Sequence, residues 1–370
     1  MKPTVLILDD EVLARDWPYT AARLEDRLRQ AATIRWAQPT ETETLDWADV
    51  RAVALFAGNL SAAVLDRARQ LQAVGGITDA LGPACFDQLT ARGIPFIDAT
   101  RAWAPSVAEC GFALALCALR RIPHWHARLG KGDCDWRYPY GQFCDDPHFI
   151  NGELGTKTVG VVGLGQIGSR LASWSQAFGA RVLAYDPFAP AERFAQARAV
   201  AAPLDEIIAV AEILFVAVPP TPSARRSISA ARVRRLRRGA IVVTVTRADA
   251  IDTDALRARV LADELCWAAD VYDREPLPAD DPLLGRNNVV HIPHIAGRTR
   301  DANLRLADCL ADDFLRIFKG EPPQAVLTPR AVSIRTKRRR LAVRHPGAEE
   351  EKICAKRDRR NRWLCETLTP

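Results

Sequence analysis

The sequence predicts an α/β protein built as two doubly wound parallel-sheet domains. Three observations carry that expectation. The 370 residues suit two domains at roughly 150 residues each. Short apolar runs alternate with polar helical stretches along both halves, the pattern of strand–helix–strand units. A glycine-rich turn, Gly163-Leu164-Gly165-Gln166-Ile167-Gly168, stands between one apolar run and one helical stretch.

The elements follow in order. In the first hundred residues Val5–Leu8, Val53–Phe56, Leu71–Val74 and Ile94–Ile97 read as buried strands, with helices over Tyr19–Ala32 and Ser61–Arg69. A long apolar helix is expected over 106–122, with Ser106 as N-cap and Glu109 at the capping-box position. The stretch Gly130–Gly155, rich in Gly, Trp, Tyr and Cys, reads as an irregular link. A second series then opens: Val159–Val162, Arg181–Tyr185, Ile213–Val218, Ala240–Val245, Leu265–Ala269 and Val289–Ile292, with a helix over Ser169–Phe178. Six strands separated by helices are what a dinucleotide-binding domain requires. The last helix, Asp301–Phe318, ends in Lys319-Gly320, a basic last turn and a glycine stop. The expected organisation is a first part over 1–100, a dinucleotide-binding domain over 101–294, and a return to the first domain over 295–330.

Charge confines one function class to the end of the chain. The formal net charge is +6, but residues 331–370 alone hold 12 basic and five acidic side chains, against 39 and 40 in the rest. A basic surface over the whole protein is thereby excluded. Charge blocks such as Lys337-Arg338-Arg339-Arg340 and Glu349-Glu350-Glu351 read as a disordered tail, which cannot bury enough surface to offset its ordering. Nucleic-acid binding is confined to that tail, whose one aromatic is Trp363. No run approaches the ~20 apolar residues of a bilayer span, since Phe112–Leu119 is short and followed by Arg120-Arg121. The segment after Met1 ends in Asp9-Asp10 and does not read as a secretion signal. Nine cysteines without paired or zinc-like spacing point to reduced thiols, a cytoplasmic setting and no metal site.

The glycine turn carries the first chemistry. Gly163 permits the tight turn, Gly165 lets a pyrophosphate approach the backbone, and Gly168 lets helix pack on strand. The helix N-terminus then offers unpaired N–H groups and a partial positive charge. Asp186 lies 18 residues beyond Gly168 at the end of the next strand. A carboxylate there can accept from the adenosine ribose hydroxyls and repel a 2′-phosphate, which favours NAD over NADP.

Three later segments complete the picture: Thr244-Val245-Thr246-Arg247-Ala248, Asp270-Val271-Tyr272-Asp273-Arg274-Glu275-Pro276, and Asn288 to Gly297 with His291 and His294. With the glycine turn, their order resembles the D-isomer-specific 2-hydroxyacid dehydrogenase family, over about residues 1–330 and most densely over 159–297. Arg101–Arg121 also looks like the family's inter-domain helix, and Val218-Pro219-Pro220-Thr221-Pro222 like its cofactor-side loop. The resemblance implies an NAD-binding Rossmann domain, a discontinuous flavodoxin-like substrate domain, and a homodimer acting on a small 2-oxo or D-2-hydroxy acid.

The chemistry explains the residue types. Reducing a 2-oxo acid needs a cation for the carboxylate and carbonyl, and the planar fork of Arg247 suits that at any physiological pH. It needs a proton donor for the developing alkoxide, and His294 exchanges protons near neutrality. Glu275 would orient the ring and favour its charged form. Arg247 and Glu275 are 28 residues apart, Glu275 and His294 19, close to the family's separations. The resemblance also assigns Gln166 and Ile167 beneath the pyrophosphate, Val218 and Pro219 along the adenosine, and Val245 and Thr246 near the nicotinamide. It gives the carboxamide to Asp270, places Gly297 along the same ring, and gives the substrate carboxylate to the backbone of Gly75, Gly76 and Ile77. Two departures stand out. Thr244 and Ala248 flank Arg247 where the family has Asn and Gly, and Ala80 follows Asp79 where the family has an Asp-Asn pair. A competing reading is a non-catalytic protein that senses NAD on the same fold.

Overall fold

The structure, a computed structural model, describes residues 2–77, 82–133, 148–219, 221, 223–328 and 331. The expected tail beyond Ala331, most of the Gly130–Gly155 link and Thr78–Leu81 lie outside the described residues.

The first sheet runs β1 (Thr4–Leu8), β2 (Thr33–Ala37), β3 (Val50–Leu55), β4 (Ala73–Gly76) and β5 (Phe96–Asp98), in spatial order β2-β1-β3-β4-β5. Every pairing is parallel. That order is the flavodoxin-like one, whose switch point lies between β1 and β3. Its helices are α1 (Val12–Asp16), α2 (Pro18–Leu28), α3 (Ala62–Arg67) and α4 (Pro83–Ala91). β2 was not anticipated. It is an edge strand, buried only at Ala37, so Thr33-Ile34-Arg35-Trp36 shows none of the continuous apolar character of its buried neighbours.

A 3-10 turn (Ala99–Trp103) leads into α5 (Ala104–Leu119) and α6 (Ile122–Gly130). The expected cap at Ser106 is wrong. Helix starts at Ala104 with Pro105 in its first turn, Ser106 is 6% exposed inside it, and its hydroxyl lies against Thr299 instead. The continuous helical stretch Ala99–Leu119 is also long and apolar enough by composition to cross a membrane, contrary to the expectation. Over half of that window is buried within the protein, where α5 joins the core of the second sheet.

The second sheet holds β6 (Thr158–Val162), β7 (Arg181–Tyr185), β8 (Val200–Ala201), β9 (Ile213–Val216), β10 (Ile241–Thr244), β11 (Cys266–Ala269) and β12 (Val289–His291). Their order is β12-β11-β10-β9-β6-β7-β8, again all parallel. The two-residue edge strand β8 is the one the sequence did not announce, because Val200 and Ala201 are both exposed. The helices are α7 (Gln166–Ala177), α8 (Ala191–Gln196), α9 (Leu204–Val210), α10 (Ala230–Arg235), α11 (Thr253–Leu261) and α12 (Arg300–Phe318). Strands β9, β10 and β11 are buried at every residue, as strands covered on both faces must be.

Helix α12 returns to the first sheet. Leu306, Ala307, Leu310, Ala311 and Phe314 share one core with Val5, Ile7, Ala52 and Ala54. Each large side chain buried there stabilises the fold by about 1.5–3 kcal/mol. Thr299 caps α12 by accepting from the Ala302 N–H at 3.0 Å. Arg23 and Arg27 on α2 meet Asp308 on α12 at 2.8 Å; these pairs are partly exposed and worth little beyond registry.

Candidate active site

The register of the second sheet builds the site. Val162 lies opposite Tyr185 and Val216, Val216 opposite Thr244, Thr244 opposite Ala269, and Ala269 opposite His291. The residues that follow these positions therefore emerge along one carboxyl edge: Gly163, Asp186, Val218, Val245 to Arg247, Asp270 and His294. In open parallel sheets ligands bind outside that edge.

The glycine turn has the form of a phosphate cradle. Gly163 has φ +90°, and a Cβ there would stand 2.7 Å from the Ala217 carbonyl oxygen. A Cβ on Gly168 would stand 1.9 Å from the Gly163 carbonyl oxygen, so the turn and the first helical turn of α7 pack backbone to backbone. Gly165 is different: no atom lies within 4 Å of its Cβ position, which leaves its outer face open. Gln166 begins α7 and is exposed, with Ile167 half-buried beside it.

Asp186 does more than the sequence suggested. Its Oδ2 accepts from the Leu164 N–H at 2.8 Å, and its Oδ1 from the N–H groups of Phe188 and Ala189 at 2.9 and 3.1 Å. The carboxylate thus fixes the cradle as well as carrying a charge next to it. Thr246 likewise has a structural task, since its hydroxyl donates to the carbonyls of Val216 and Val218 at 3.2 and 2.9 Å. That hydroxyl ties the end of β10 to the loop bearing Val218 and Pro219. Val245 is buried beneath α5.

His294 and Glu275 meet directly, Nδ1 to Oε2 at 2.6 Å. The other carboxylate oxygen, Oε1, accepts from the Tyr272 N–H at 2.8 Å, so both oxygens of Glu275 are held. Burial alone would raise the Glu275 pKa. The hydrogen bonds from His294 and Tyr272 and the charges of His294 and Arg247 outweigh burial and hold it below the usual carboxylate value. Arg247 is near enough to take part in that effect, and its Nη1 donates to the Thr246 carbonyl at 2.7 Å. The three residues expected from the sequence thus converge. His294 sits at φ +53° in a tight loop where its own N–H donates to the Ile292 carbonyl.

The loop is held from beneath by Asp270. This residue is 1% exposed, and its Oδ1 accepts from the N–H groups of Ile295 and Ala296 at 2.7 and 3.1 Å. Burial pushes its pKa up, and these two bonds pull against that shift. The anchoring role was missed, because nothing local in the sequence pairs Asp270 with residues 25 positions away. Gly297 lies against Val107 and Trp103, with room for a Cβ.

The substrate-side glycines are placed differently from the expected loop. Gly75 and Gly76 lie inside β4 and are buried. A Cβ on Gly76 would stand 2.0 Å from the Leu55 carbonyl oxygen, and one on Gly75 2.7 Å from Leu310 Cδ2. Both are needed by packing. Only Ile77, half-buried, follows the strand among the described residues of that segment. Among the described residues no cluster of metal-ligating side chains occurs.

Comparison with known proteins places the fold in a family. Residues 112–296 match the family model described as D-isomer specific 2-hydroxyacid dehydrogenase, NAD binding domain. The chain is 33% identical over 264 residues to a D-3-phosphoglycerate dehydrogenase of Archaeoglobus fulgidus, covering 71% of this chain and 48% of that protein. It is 30% identical over 291 residues to a glyoxylate reductase of Thermofilum pendens, covering 76% and 82%. The chain spans about half the length of the archaeal D-3-phosphoglycerate dehydrogenases it matches. Among solved structures, a phosphoglycerate oxidoreductase from Rhizobium etli superposes with TM-score 0.76 at 23% identity, covering 88% of this chain and 98% of that one. D-2-hydroxyisocaproate dehydrogenase superposes at 0.68 and 22% identity, covering 88% and 99%. At those identities the likeness shows the fold. With the family model spanning 112–296 and the glyoxylate reductase matched over most of its length, the chain belongs to the D-isomer-specific 2-hydroxyacid dehydrogenase family and carries its NAD-binding domain.

Proposed function

We propose that the protein is an NAD-dependent oxidoreductase that interconverts a small 2-oxo acid and its D-2-hydroxy acid. The observation that carries this reading is the 2.6 Å contact between His294 Nδ1 and Glu275 Oε2, with Arg247 close enough to act on the same carboxylate.

NAD fits the residues present. Gly165 is open, Gly163 and Gly168 close the turn behind it, and the N-terminus of the 12-residue α7 faces the same place. Gly163, Gly165, Gln166, Ile167 and Gly168 would hold the pyrophosphate, and Asp186 the ribose. Val218 and Pro219 would flank the adenosine, and Val245, Thr246, Asp270 and Gly297 the nicotinamide end. The reduced cofactor supplies the hydride when bound.

The chain's own groups supply the rest. Arg247 binds the carboxylate and polarises the carbonyl with two parallel N–H donors. Glu275 stays a carboxylate and accepts a hydrogen bond from the Nδ1–H of His294, which fixes the ring and leaves the Nε2 proton of the charged imidazole to be delivered to the new hydroxyl. In the oxidative direction Nε2 takes that proton back. A positioned acid of this kind contributes about 10²–10⁴ in rate. The backbone at the end of β4, at Ile77, would hold the far side of the carboxylate. Work as a homodimer in the cytoplasm belongs to the same proposal.

The testing experiment is a panel of glyoxylate, hydroxypyruvate, pyruvate and branched 2-oxo acids with NADH and NADPH, followed by nicotinamide absorbance. NADH-dependent reduction of at least one member is expected. Binding of NADH with no turnover of any member would instead favour an NAD-sensing protein.

A further inference from the structure

Among the described residues the chain passes between the two sheets twice. The first crossing is the 3-10 turn Ala99–Trp103, from β5 into α5. The second is the loop from β12 to α12, residues 292–299. Helix α5 belongs to the core of the second sheet and α12 to that of the first, so each is the first rigid element beyond its crossing.

Arg305 on α12 joins the two crossings. Its Nε donates to the Ala102 carbonyl at 3.1 Å and its Nη2 to Ser106 Oγ at 2.9 Å. Ser106 Oγ in turn lies 2.9 Å from Thr299 Oγ1. Ser106 accepts from Arg305 and Thr299 accepts from the Ala302 N–H, and either hydroxyl can donate in the contact between them. The hydrogen bonds are therefore continuous, from Arg305 through the first crossing's helix to the cap of the second. Ala102 and Ser106 are each 6% exposed, which shields it from water.

Two short levers lead from this junction to the reacting groups. Five residues along α5 from Ser106, Gly111 packs so closely on Val245 that a Cβ would stand 3.1 and 3.2 Å from its methyl carbons. Val245 is two residues before Arg247. On the other side, Thr299 is five residues after His294, and Gly297 between them lies against Val107 and Trp103.

We propose that Arg305 is a positioning residue: by clamping both crossings into one pivot, it aligns the helix behind Arg247 with the loop that carries His294 as the domains close on substrate. The inference rests on the reaction proposed above. A guanidinium suits the task because its fixed fork serves two acceptors at once, which an ammonium on a flexible stem does not. Closure about a few hinge residues is a common way to complete a site between domains.

The test compares Arg305→Ala, Arg305→Lys and Ser106→Ala in the full chain. NADH affinity is read by fluorescence titration, and kcat and KM by turnover of an accepted 2-oxo acid. The cradle lies wholly in the second sheet, so NADH affinity stays within about twofold of the parent. For Arg305→Ala, kcat/KM for the 2-oxo acid falls about tenfold to a hundredfold, mostly in kcat, the scale of a small misplacement of reacting groups. Arg305→Lys recovers part of the loss, and so does added guanidinium on Arg305→Ala; a role confined to stability would show neither. If Arg305→Ala does not fold, Ser106→Ala, which deletes one oxygen, is expected to lower kcat in the same direction. Folded variants that keep kcat and KM within about twofold of the parent overturn the inference alone. A parent protein inert to every 2-oxo acid overturns the proposed reaction, and this inference with it.

Discussion

Adding one methyl group at each of two glycines of the cradle should have opposite consequences. In Gly168→Ala the new carbon would stand 1.9 Å from the Gly163 carbonyl oxygen, 3.0 Å from its carbon and 3.3 Å from Val161 Cγ1. Two of those neighbours are backbone, so no rotamer change relieves the clash, and the turn must separate from α7 by more than an ångström. Overpacking of this kind costs about 1–3 kcal/mol and sometimes more. In Gly165→Ala the carbon meets nothing within 4 Å, and φ −76° with ψ −158° is open to any residue. Stability should then change by no more than about 0.5 kcal/mol. The open space it fills is where a pyrophosphate must approach, so NADH affinity should fall about tenfold or more, equivalent to about 1.4 kcal/mol. Denaturant unfolding gives the first quantity and NADH fluorescence titration the second. If Gly165→Ala proves as unstable as Gly168→Ala, or binds NADH as tightly as the parent, the cradle has been misread.

Three further outcomes are expected. Arg247→Lys should lose about tenfold to a hundredfold in kcat/KM for 2-oxo acids, because a single ammonium cannot reproduce paired donors; a parent-like value in steady-state assays would remove Arg247 from the site. Because the folded Glu275 pKa lies below its ordinary 4.5, Glu275 contributes stability above that value and loses it as pH falls through the folded one. Acid titration of Glu275→Gln should therefore show a stability deficit near neutrality that vanishes toward low pH; a deficit independent of pH contradicts the ionised pair. Asp186→Asn keeps oxygen for the Leu164 N–H, gives up the acceptor facing Phe188 and Ala189 and removes the charge, and should narrow the preference for NADH over NADPH in paired titrations. An unchanged preference would show that the charge of Asp186 does not choose the cofactor.

Much of this was legible in the sequence, for physical reasons that also explain the rest. Buried strands such as β9 and β11 are apolar at every position, so they stand out from the polar helices between them. The glycines, Asp186, Arg247, Glu275 and His294 were readable because turn chemistry and strand ends place them along one edge. Edge strands β2 and β8 were not, because an exposed strand need not be apolar. Ser106 looked like a cap since Ser and Glu three apart fit that pattern, while Pro105 allowed helix to begin earlier. The work of Asp270 and Arg305 depends on partners 25 to 203 residues away, and no local pattern announces such pairs. The resemblance gives Gly75 and Gly76 to the substrate carboxylate, and their packing against Leu310 and Leu55 inside β4 had no local signal.

The most direct test of the proposed chemistry is single-turnover reduction of an accepted 2-oxo acid by NADH in His294→Gln. Glutamine can keep a hydrogen bond to Glu275 but cannot deliver a proton near neutrality. The expected result is NADH binding like that of the parent with a rate lower by about 10²–10⁴. A parent-like rate would contradict the assignment of His294 as proton donor.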